Sequence, residues 1–480
     1  MADPVRELYS QKRYPAFSHP EAHPGVLCAT ARCAGLVSPA LPESCRLLDL
    51  GCGSGHHILA LAARFPESTF HGVDFSDSAI RAARKAAVEA GLSNVTFDHA
   101  DLAEWKAPED GEPYDYVNMR GVLSWVPDEV KSVLLDLVGA CLAPEGILCM
   151  DYNTLPGWAL RREAAAMFKA LPQLAEDGVE AQLTKLQEVA AMGSGTYAAD
   201  LAAVFEDMRR KGPEILPFDE LAPVCDPFHF SQVLQWAGGK GLRYLGESTL
   251  AGNLPPNLDP AALKQLEPLR SDPVMFQQTL DLFSGRTHRS SIFCRAGAYL
   301  DTTTTASVVL HFAARLLVKN LPEKAIHGEL SGQFHAALAA SAPAARPVSQ
   351  LMEDCAQRLG PRWEPARGAQ DISAWLYQAA RLGWVELRAD EVSYPDLPLA
   401  RPKLSALNLH FAREKRPLVD AYHKTCRFPE SHREVVAKLD GSMSHDGLRA
   451  FARDHAPDLD FDPWLRHLSA RGLFIPNTEG

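Results

Sequence analysis

The sequence predicts an α/β fold built around a parallel sheet, and three observations lead to that prediction. Between residues 45 and 151, short apolar runs alternate with stretches of helical periodicity. Each run is too apolar for a strand with one solvent-exposed face, which indicates a sheet covered by helices on both sides. The first run ends in a glycine-rich turn that opens a helix, so we expect a ligand-binding turn at the carboxyl end of that strand.

Seven strands are predicted, five of them starting before residue 151 and two much later. They are 46–50, 69–73, a strand beginning at Val95, 114–117, 147–150, 242–248 and 290–295. Helices are predicted at 58–65 and 77–90 from the spacing of their apolar residues. The segment 161–211 is mostly helical, with breaks at Pro172 and at 193–195. We expect the two late strands at the edge of the same sheet, reached after helical insertions.

The chain length allows several domains. The first is expected to span 1–297, with helical insertions at about 159–225 and 250–287. Two smaller α+β domains of winged-helix-like type are predicted at 298–400 and 401–480, because each contains a helix, a glycine and a short strand in succession. The expected linker between these two domains is marked by Pro395, Pro398 and Pro402.

The charge balance disfavours nucleic acid as a partner. The chain has 480 residues, with 48 Lys and Arg against 60 Asp and Glu, a net charge of −12. No broad cationic surface follows from this balance, so tight nonspecific nucleic-acid binding is not expected. The last 80 residues, 401–480, have 13 basic and 11 acidic residues, a net of +2 that is far from a basic face. Protein docking or homodimerisation is the favoured role for that tail.

Cysteine usage and hydropathy indicate the compartment. The ten cysteines are scattered, without a CxxC pair or a Cys/His ligand cluster, so we expect a reducing compartment and assign no metal. The amino terminus lacks the apolar stretch of a secretion signal, and no apolar segment approaches eighteen residues. The sequence therefore predicts a cytoplasmic protein with no membrane span.

The motif at 49–55 carries the strongest functional signal. Its glycines allow a sharp turn and the close approach of a ligand, and the next helix offers free amide hydrogens. A dinucleotide-binding turn would have a third glycine at position 56, where this chain has His56. Asp49 would repel a pyrophosphate but attract the cationic amine of a methionine moiety. The pattern therefore favours S-adenosylmethionine over NAD, and no Gly-Lys-Ser/Thr follows for a Walker-type site.

Two further carboxylates follow the next two predicted strands. Asp74 is placed to accept hydrogen bonds from both ribose hydroxyls. Asp101 is placed to accept the adenine amino group, with Leu102 and Phe75 on either side of the ring. Three acids at consecutive strand ends are much less expected by coincidence than any one alone. The predicted cofactor-binding residues are Tyr14, Asp49, Gly51, Cys52, Gly53, Asp74, Phe75, Asp101, Leu102 and Asn118.

With these motifs, the chain resembles the class I S-adenosylmethionine-dependent methyltransferases through Asp151. The resemblance implies a Rossmann-like seven-stranded sheet in which an antiparallel strand seven lies beside strand six. A narrower resemblance links about the first 297 residues to bacterial methyltransferases with a methyltransferase regulatory domain, a group that includes rickettsial protein lysine methyltransferases. The segments that carry it include Tyr14–Pro15, His23–Pro24, 121–127 and 152–158. Asp219–Glu220 departs from the His-Glu frequent in that group, so no function is assigned there.

Residues after strands four and five are the candidates for the acceptor side. A polar pair at the end of a buried strand predicts Tyr152 and Asn153 as catalytic, together with Arg120, and Tyr14 is expected to close over the cofactor. Residues 118–121 lack the Asp/Asn-Pro-Pro-Tyr motif of many nucleobase methyltransferases. We therefore favour N-methylation of a protein or peptide, with lysine as the acceptor. A small-molecule N- or O-methyltransferase and a catalytically silent S-adenosylmethionine-binding scaffold remain open.

Overall fold

The computed structural model describes residues 4–108, 111–175, 178–254, 260–322, 325–326, 328–393 and 400–475. A seven-stranded sheet lies at its centre, in the order β3-β2-β1-β4-β5-β7-β6. These strands are β1 (Arg46–Leu50), β2 (Thr69–Asp74), β3 (Val95–His99), β4 (Tyr114–Met119), β5 (Leu142–Asn153), β6 (Leu242–Glu247) and β7 (His288–Arg295). The predicted α/β class and all seven predicted strands are thereby confirmed.

The first five strands are parallel, and β7 is antiparallel to both of its neighbours, β5 and β6. The order reverses between β1 and β4, which is where open α/β sheets bind ligands at their carboxyl ends. Strand β5 begins at Leu142, five positions before the predicted start. Its pairing with β4 shifts register between Tyr114 and Tyr116, and Pro144 and Gly146 in the early part interrupt the apolar pattern.

Helices cover both faces of the sheet and also form the insertions. They are α1 (Pro4–Gln11), α2 (Pro24–Cys33), α3 (His56–Arg64), α4 (Asp77–Glu89), α5 (Asp128–Cys141), α6 (Ala159–Ala170), α7 (Val179–Ala191), α8 (Thr196–Lys211), α9 (Phe230–Gly239), α10 (Pro260–Leu266) and α11 (Pro273–Ser284). Side chains of β1 alternate between the two faces: Leu47 packs with α3 and α4, and Leu48 packs with α5 and α9. The sheet therefore separates two apolar cores, as a parallel sheet requires.

The predicted helical insertion after β5 consists of α6, α7 and α8. Its breaks fall at 172–175, which is a short 3-10 helix, and at Gly195 before α8, as the sequence predicted. The insertion has its own small core, in which Leu183 of α7 packs against Phe205 and Met208 of α8. Because α8 ends at Lys211, the insertion returns the chain to the carboxyl edge of the sheet.

A middle unit follows the sheet. It contains β8 (Ala313–Leu316), β9 (Arg346–Pro347) and β10 (Val385–Arg388), with helices α12 (Gly328–Ala340), α13 (Val348–Leu359) and α14 (Pro365–Arg381). Its three strands form an antiparallel sheet in the order β10-β8-β9. The unit is thus α+β, and its winged-helix-like character stays a prediction. The linker prolines Pro395 and Pro398 lie outside the described residues, whereas Pro402 lies within them, and the predicted boundary between 400 and 401 stays a prediction.

The C-terminal unit, residues 400–475, packs directly on the main sheet's helices. It contains α15 (Ala406–Arg413), β11 (Leu418–Val419), β12 (Thr425–Cys426), α16 (Arg433–Ala437), α17 (His445–His455) and α18 (Phe461–Ala470). Its core residues Leu407 and Phe411 belong to the same apolar cluster as Leu59 and Ile80 of α3 and α4. Among the described residues, no helix combines the length and apolar character needed to cross a membrane.

Candidate active site

A cleft of about 560 Å³ opens at the carboxyl ends of β1, β2 and β4. This volume lies in the range of pockets that hold small ligands. Eleven of the thirteen predicted site residues line it: Tyr14, Asp49, Gly51, Cys52, Gly53, Asp74, Phe75, Asp101, Leu102, Arg120 and Asn153. The structure therefore brings together residues that the sequence places at the ends of five different strands and in an N-terminal segment.

A glycine-rich turn joins the end of β1 to α3. Gly51 and Gly55 both have positive φ angles, of 77° and 69°. A Cβ at Gly51 would lie 2.7 Å from the Val122 side chain, and a Cβ at Gly55 would lie 2.9 Å from the Phe97 ring. Both positions therefore require glycine for conformation and for space. Because α3 begins at His56, its free amide hydrogens lie at the cleft beside the bare backbone of the turn.

Asp49 lies near the end of β1, where its buried side chain lines the cleft. Burial and then the neighbouring Asp74 carboxylate raise the pKa of Asp49 to about 7. A cationic amine beside this carboxyl would favour its ionised form and offset most of the cost of ionising it in a buried position. The site is therefore suited to an ammonium group, as the sequence predicted.

Asp74 ties the glycine turn to β2. One of its oxygens accepts a hydrogen bond from the Gly53 amide at 2.8 Å, and the other accepts one from the Ser76 amide at 2.8 Å. A carboxylate has about four acceptor positions, so those left over remain free for hydroxyl groups in the cleft. Asp74 can therefore shape the turn and bind ribose at the same time.

The end of the cleft predicted to hold adenine is covered by α1. Phe75, Asp101 and Leu102 line this end. The ring of Tyr9 meets Phe75 edge-on, with centroids 5.2 Å apart, and Arg6 forms an ion pair with Asp101. The N-terminal helix thus lies across the same residues that the sequence assigns to the nucleoside, an arrangement that the sequence did not predict.

The opposite end of the cleft contains Arg120, which is buried and paired with two carboxylates. It forms ion pairs with Glu21 and with Asp151, whose Oδ2 lies 3.3 Å from the Arg120 Nε. Asp151 also lies 3.4 Å from His288 and accepts the Gly121 amide at 2.6 Å. Burial alone would raise the pKa of Asp151, but Arg120 and His288 outweigh it and hold that pKa well below its ordinary value. Asp151 is therefore a fixed anion, not a proton donor.

A second group of charges reaches the same end from the helical insertion. Arg161 pairs with Asp207 and with Glu220, the latter at 2.8 Å. Lys211 pairs with Glu220 and lies 2.6 Å from Asp219. Arg161, Lys211 and Asp219 line the cleft, whereas the Glu220 side chain is fully buried beneath them. We call these five residues the insertion cluster.

Aromatic side chains complete this end. Tyr14 packs against Phe218, with ring centroids 5.3 Å apart, and the ring of Trp158 lies 5.5 Å from the Lys211 ammonium. Tyr14 is 43% exposed overall, yet it lines the cleft, where desolvation and then the carboxylates Asp219 and Asp151 raise its pKa to about 12. The Tyr14 phenol therefore keeps its proton at neutral pH.

Two predicted site residues do not line the cleft. Tyr152 points to the opposite face of the sheet from Asp151 and Asn153, because side chains alternate along a strand. Its fully buried hydroxyl lies 3.1 Å from the Ser291 hydroxyl, so the prediction that Tyr152 faces the substrate is wrong. Asn118 is also fully buried, and its amide lies 3.0 Å from Nε2 of His57, so it supports a cleft residue and does not contact the cofactor space.

Several lining residues were missed by the sequence analysis. They are Tyr9 of α1, and Arg161, Lys211, Phe218 and Asp219 from the insertion and the segment after it. The one feature of the sequence that pointed to them was Asp219–Glu220 in place of the His-Glu frequent in the related group, and no function was assigned to it. Within the described ranges, no group of three or more His, Cys, Asp or Glu side chains is arranged to hold a metal ion.

The comparisons with known proteins agree with this geometry. A family model described as a methyltransferase domain matches residues 41–201, and one described as a predicted methyltransferase regulatory domain matches 213–295. The chain thus carries an S-adenosylmethionine-dependent methyltransferase domain followed by a regulatory domain, and its Rossmann-like sheet has the antiparallel strand seven beside strand six that the resemblance implied. The cleft fits the cofactor through the Asp49 carboxyl and the bare glycine turn.

The fold over nearly the full length is that of PKMT2 from Rickettsia typhi. The two structures superpose with a TM-score of 0.83 at 19% identity, covering 96% of this chain and 100% of PKMT2. A structure of PKMT2 in complex with AdoHcy gives a TM-score of 0.76 at 21% identity, covering 92% and 91%.

Curated sequences match over shorter segments. An uncharacterized protein of Rickettsia prowazekii (strain Madrid E) is 24% identical over 333 residues, 66% of this chain and 57% of the relative. A trans-aconitate 2-methyltransferase of Variovorax paradoxus (strain S110) is 37% identical over 134 residues, 27% of this chain and 48% of the relative. The chain therefore spans only about half of the length of these two relatives.

Proposed function

We propose that the protein transfers the methyl group of S-adenosylmethionine to the side-chain amine of a lysine in a protein or peptide. The observation that carries the proposal is the surplus of carboxylates at the aromatic end of the cleft. The insertion cluster has two cations, Arg161 and Lys211, and three carboxylates, Asp207, Asp219 and Glu220. An incoming ammonium group would balance this charge.

Asp219 is the carboxylate best placed to receive that ammonium. Lys211 is bound by Glu220 as well as by Asp219, and although burial alone would lower its pKa, Asp219 and Glu220 raise it. Lys211 can therefore stay paired with Glu220 when Asp219 turns to a substrate. The walls formed by Tyr14, Trp158 and Phe218 suit an alkylammonium, which aromatic faces attract.

The chemistry divides between the two ends of the cleft. S-adenosylmethionine, when bound, supplies an electrophilic methyl group attached to a sulfonium sulfur. Asp49, Asp74 and the glycine turn hold and orient the cofactor, while the acceptor end aligns the amine for in-line attack. Asp219 can accept the proton of the bound ammonium, which leaves the neutral amine that the attack requires.

A methyltransferase acting on small carboxylates is the alternative that the curated relatives raise. Trans-aconitate 2-methyltransferases carry a polycarboxylate in their name, and one of them is 37% identical to a quarter of this chain. An anionic acceptor would have to approach both the insertion cluster and the Arg120 group, in which Glu21 and Asp151 outnumber the single arginine. The charge at the acceptor end therefore favours an amine. The resemblance of the sequence to rickettsial protein lysine methyltransferases supports the same choice.

The test is a competition between acceptor classes. The full chain is incubated with methyl-labelled S-adenosylmethionine and a panel of lysine-containing peptides, beside the same peptides with every lysine acetylated and beside trans-aconitate. We expect label only in the unmodified peptides, at the lysine nitrogen as located by mass spectrometry. Label in trans-aconitate alone would overturn the lysine proposal. Cofactor binding without transfer to any acceptor, including the proteins of a source-cell lysate, would favour the silent scaffold.

A further inference from the structure

The C-terminal unit is joined to the cofactor-binding domain by polar contacts as well as by a shared core. His410 of α15 lies 2.7 Å from Glu89 of α4, and Glu414 lies 2.6 Å from Lys85 of the same helix. Together with the apolar cluster described above, these contacts hold α15 firmly against the helix that follows β2. The loop after α15 is thereby brought next to the glycine turn.

Arg416, in that loop, contacts the turn directly. Its Nη2 donates hydrogen bonds to the Ser54 carbonyl at 3.2 Å and to the Ser54 hydroxyl at 2.9 Å, and lies 3.4 Å from Nδ1 of His56. Within the part of the chain that the structure describes, no carboxylate lies within ion-pair distance of Arg416. Burial and then Arg13 lower the pKa of Arg416 to about 10, which still leaves it charged at neutral pH. The polar contacts of this partly buried charge are thus made with the turn and the start of α3.

Two rings of the C-terminal unit support the start of α3. Phe411 lies over the His56 ring, with centroids 4.5 Å apart, and Nε2 of His423 lies 2.6 Å from Nδ1 of His57. His56 and His57 both line the cleft. The free amides of the first turn of α3 face the cofactor space. This turn is therefore held in place by side chains of the C-terminal unit, outside the methyltransferase domain.

The same unit also holds the N-terminal segment at the cleft. The Thr425 hydroxyl accepts a hydrogen bond from the Ser18 amide at 2.9 Å, and Arg427 lies 5.1 Å from the centre of the Phe17 ring. Phe17 lines the cleft beside Tyr14. The glycine turn and the N-terminal segment form two walls of the cleft. Both are thus supported by residues between 411 and 427.

We propose that the C-terminal unit completes the cofactor site, with Arg416 as the positioning residue that holds the glycine turn in its binding conformation. This inference rests on the proposed function, because it concerns the affinity for the same cofactor. It gives the tail a role different from the docking or dimerisation expected from its sequence. Arg416 does not line the cleft, so it acts through Ser54.

The experiment measures binding of S-adenosylhomocysteine to the full chain by calorimetry, together with the KM for S-adenosylmethionine and for the acceptor. We expect Arg416→Gln to weaken S-adenosylhomocysteine binding about 10- to 30-fold, as the loss of charged hydrogen bonds would. The KM for S-adenosylmethionine should rise in parallel, while the KM for the acceptor stays within about twofold. Arg416→Lys, which keeps the charge, should recover part of the loss.

Two control variants separate positioning from general stability. Arg413→Gln removes an exposed arginine of the same unit whose ion pair with Asp440 is 3.7 Å long, and it should leave binding unchanged. Arg449→Gln breaks the 2.8 Å bond to Asp462 between α17 and α18 of the same unit, outside residues 411–427. It should lower the Tm while leaving cofactor affinity within about threefold. Should Arg416→Gln fail to fold, Ser54→Ala removes the 2.9 Å contact from the other side and should weaken binding about threefold.

The outcomes distinguish the two proposals. If the wild-type protein binds S-adenosylhomocysteine and Arg416→Gln binds it equally well, the positioning role is overturned and the methyltransferase function stands. Equal weakening by Arg416→Gln and Arg449→Gln at equal loss of Tm would also overturn it, because the effect would then be a general loss of stability. A wild-type protein that does not bind S-adenosylhomocysteine would overturn the proposed function itself.

Discussion

The two ends of the cleft are built in different ways. The cofactor end takes its side chains from the carboxyl ends of neighbouring strands: Asp49 and Asp74 lie at the ends of β1 and β2, and Asp101 follows β3. The acceptor end joins Tyr14 to Asp219 and its neighbours, which lie about 200 positions further along the chain. The cofactor end is therefore fixed by the sheet, whereas the acceptor end depends on how an insertion folds back. Substitutions at the two ends should accordingly separate cofactor binding from acceptor binding.

The largest effect is expected at the cofactor end from Asp49→Asn. This change removes the negative charge opposite the cofactor's ammonium, so calorimetry should show S-adenosylhomocysteine binding weakened about 100-fold. The unliganded protein should become more stable at pH 8, by on the order of 2–4 kcal/mol, because a buried carboxyl whose pKa is raised to about 7 is ionised there at a cost. Unchanged affinity would remove Asp49 from the site.

A smaller effect, confined to the acceptor end, is expected from Asp219→Asn. The KM for a lysine peptide should rise about tenfold, since one charged contact with the ammonium is lost, while S-adenosylhomocysteine binding stays the same. The matched control is Asp207→Asn, which removes the same charge from the insertion cluster at a position that does not line the cleft. It should raise the KM only about twofold. Equal effects of the two variants would show that the cluster acts by net charge alone.

The pH dependence of cofactor binding provides a third test of the difference between the two ends of the cleft. Asp49 must be ionised to hold an ammonium, and its pKa in the free protein is raised to about 7, so affinity should increase as the pH rises from 5.5 through 7. Binding below pH 7 should therefore release a proton, which calorimetry in buffers of different ionisation enthalpy measures. Affinity should fall again above about pH 8 as the cofactor's amine loses its proton. Asp49→Asn should flatten the rise.

The smallest effect is expected from Tyr152→Phe, a change in β5 at a residue that lines neither end of the cleft. Its hydroxyl contacts Ser291 on the far face of the sheet, so turnover and both KM values should stay within about twofold. Thermal unfolding should show a loss of about 1 kcal/mol, typical of one buried hydrogen bond. A large loss of turnover at unchanged stability would mean that the far face of the sheet communicates with the acceptor.

The sequence was sufficient for the fold and for the cofactor end because both depend on local spacing. Apolar runs of strand length and glycines at 51, 53 and 55 leave few alternatives, and parallel strands bring their carboxyl ends together without further information. Tyr152 was misplaced because the prediction used its position at a strand end and not the alternation of β5, whose first residues are irregular. A one-residue change in register reverses the side of the sheet on which a side chain lies.

The acceptor end and the C-terminal contacts depend on pairs of residues far apart in the chain. Lys211 and Asp219 have no local pattern that marks them as lining residues, since charged side chains in a helical insertion are usually solvated. Arg416 resembles any loop arginine in the sequence, and only packing of α15 on α4 brings it to Ser54. Such contacts follow from tertiary packing, which a single sequence does not contain.

The pairing of β5 with β7 has a practical consequence for anyone who divides this chain. The methyltransferase-domain match ends at residue 201, while β6 and β7 lie inside the regulatory match at 213–295. A fragment stopped between the two matches would keep β4 beside β5 but would leave the other edge of Leu148 to Asn153 without its partner strand β7. An unpaired, apolar strand edge of this kind recruits other chains, so such a truncation should yield aggregates. The regulatory segment thus supplies two of the seven strands of the central sheet, and we expect that the two segments do not fold apart.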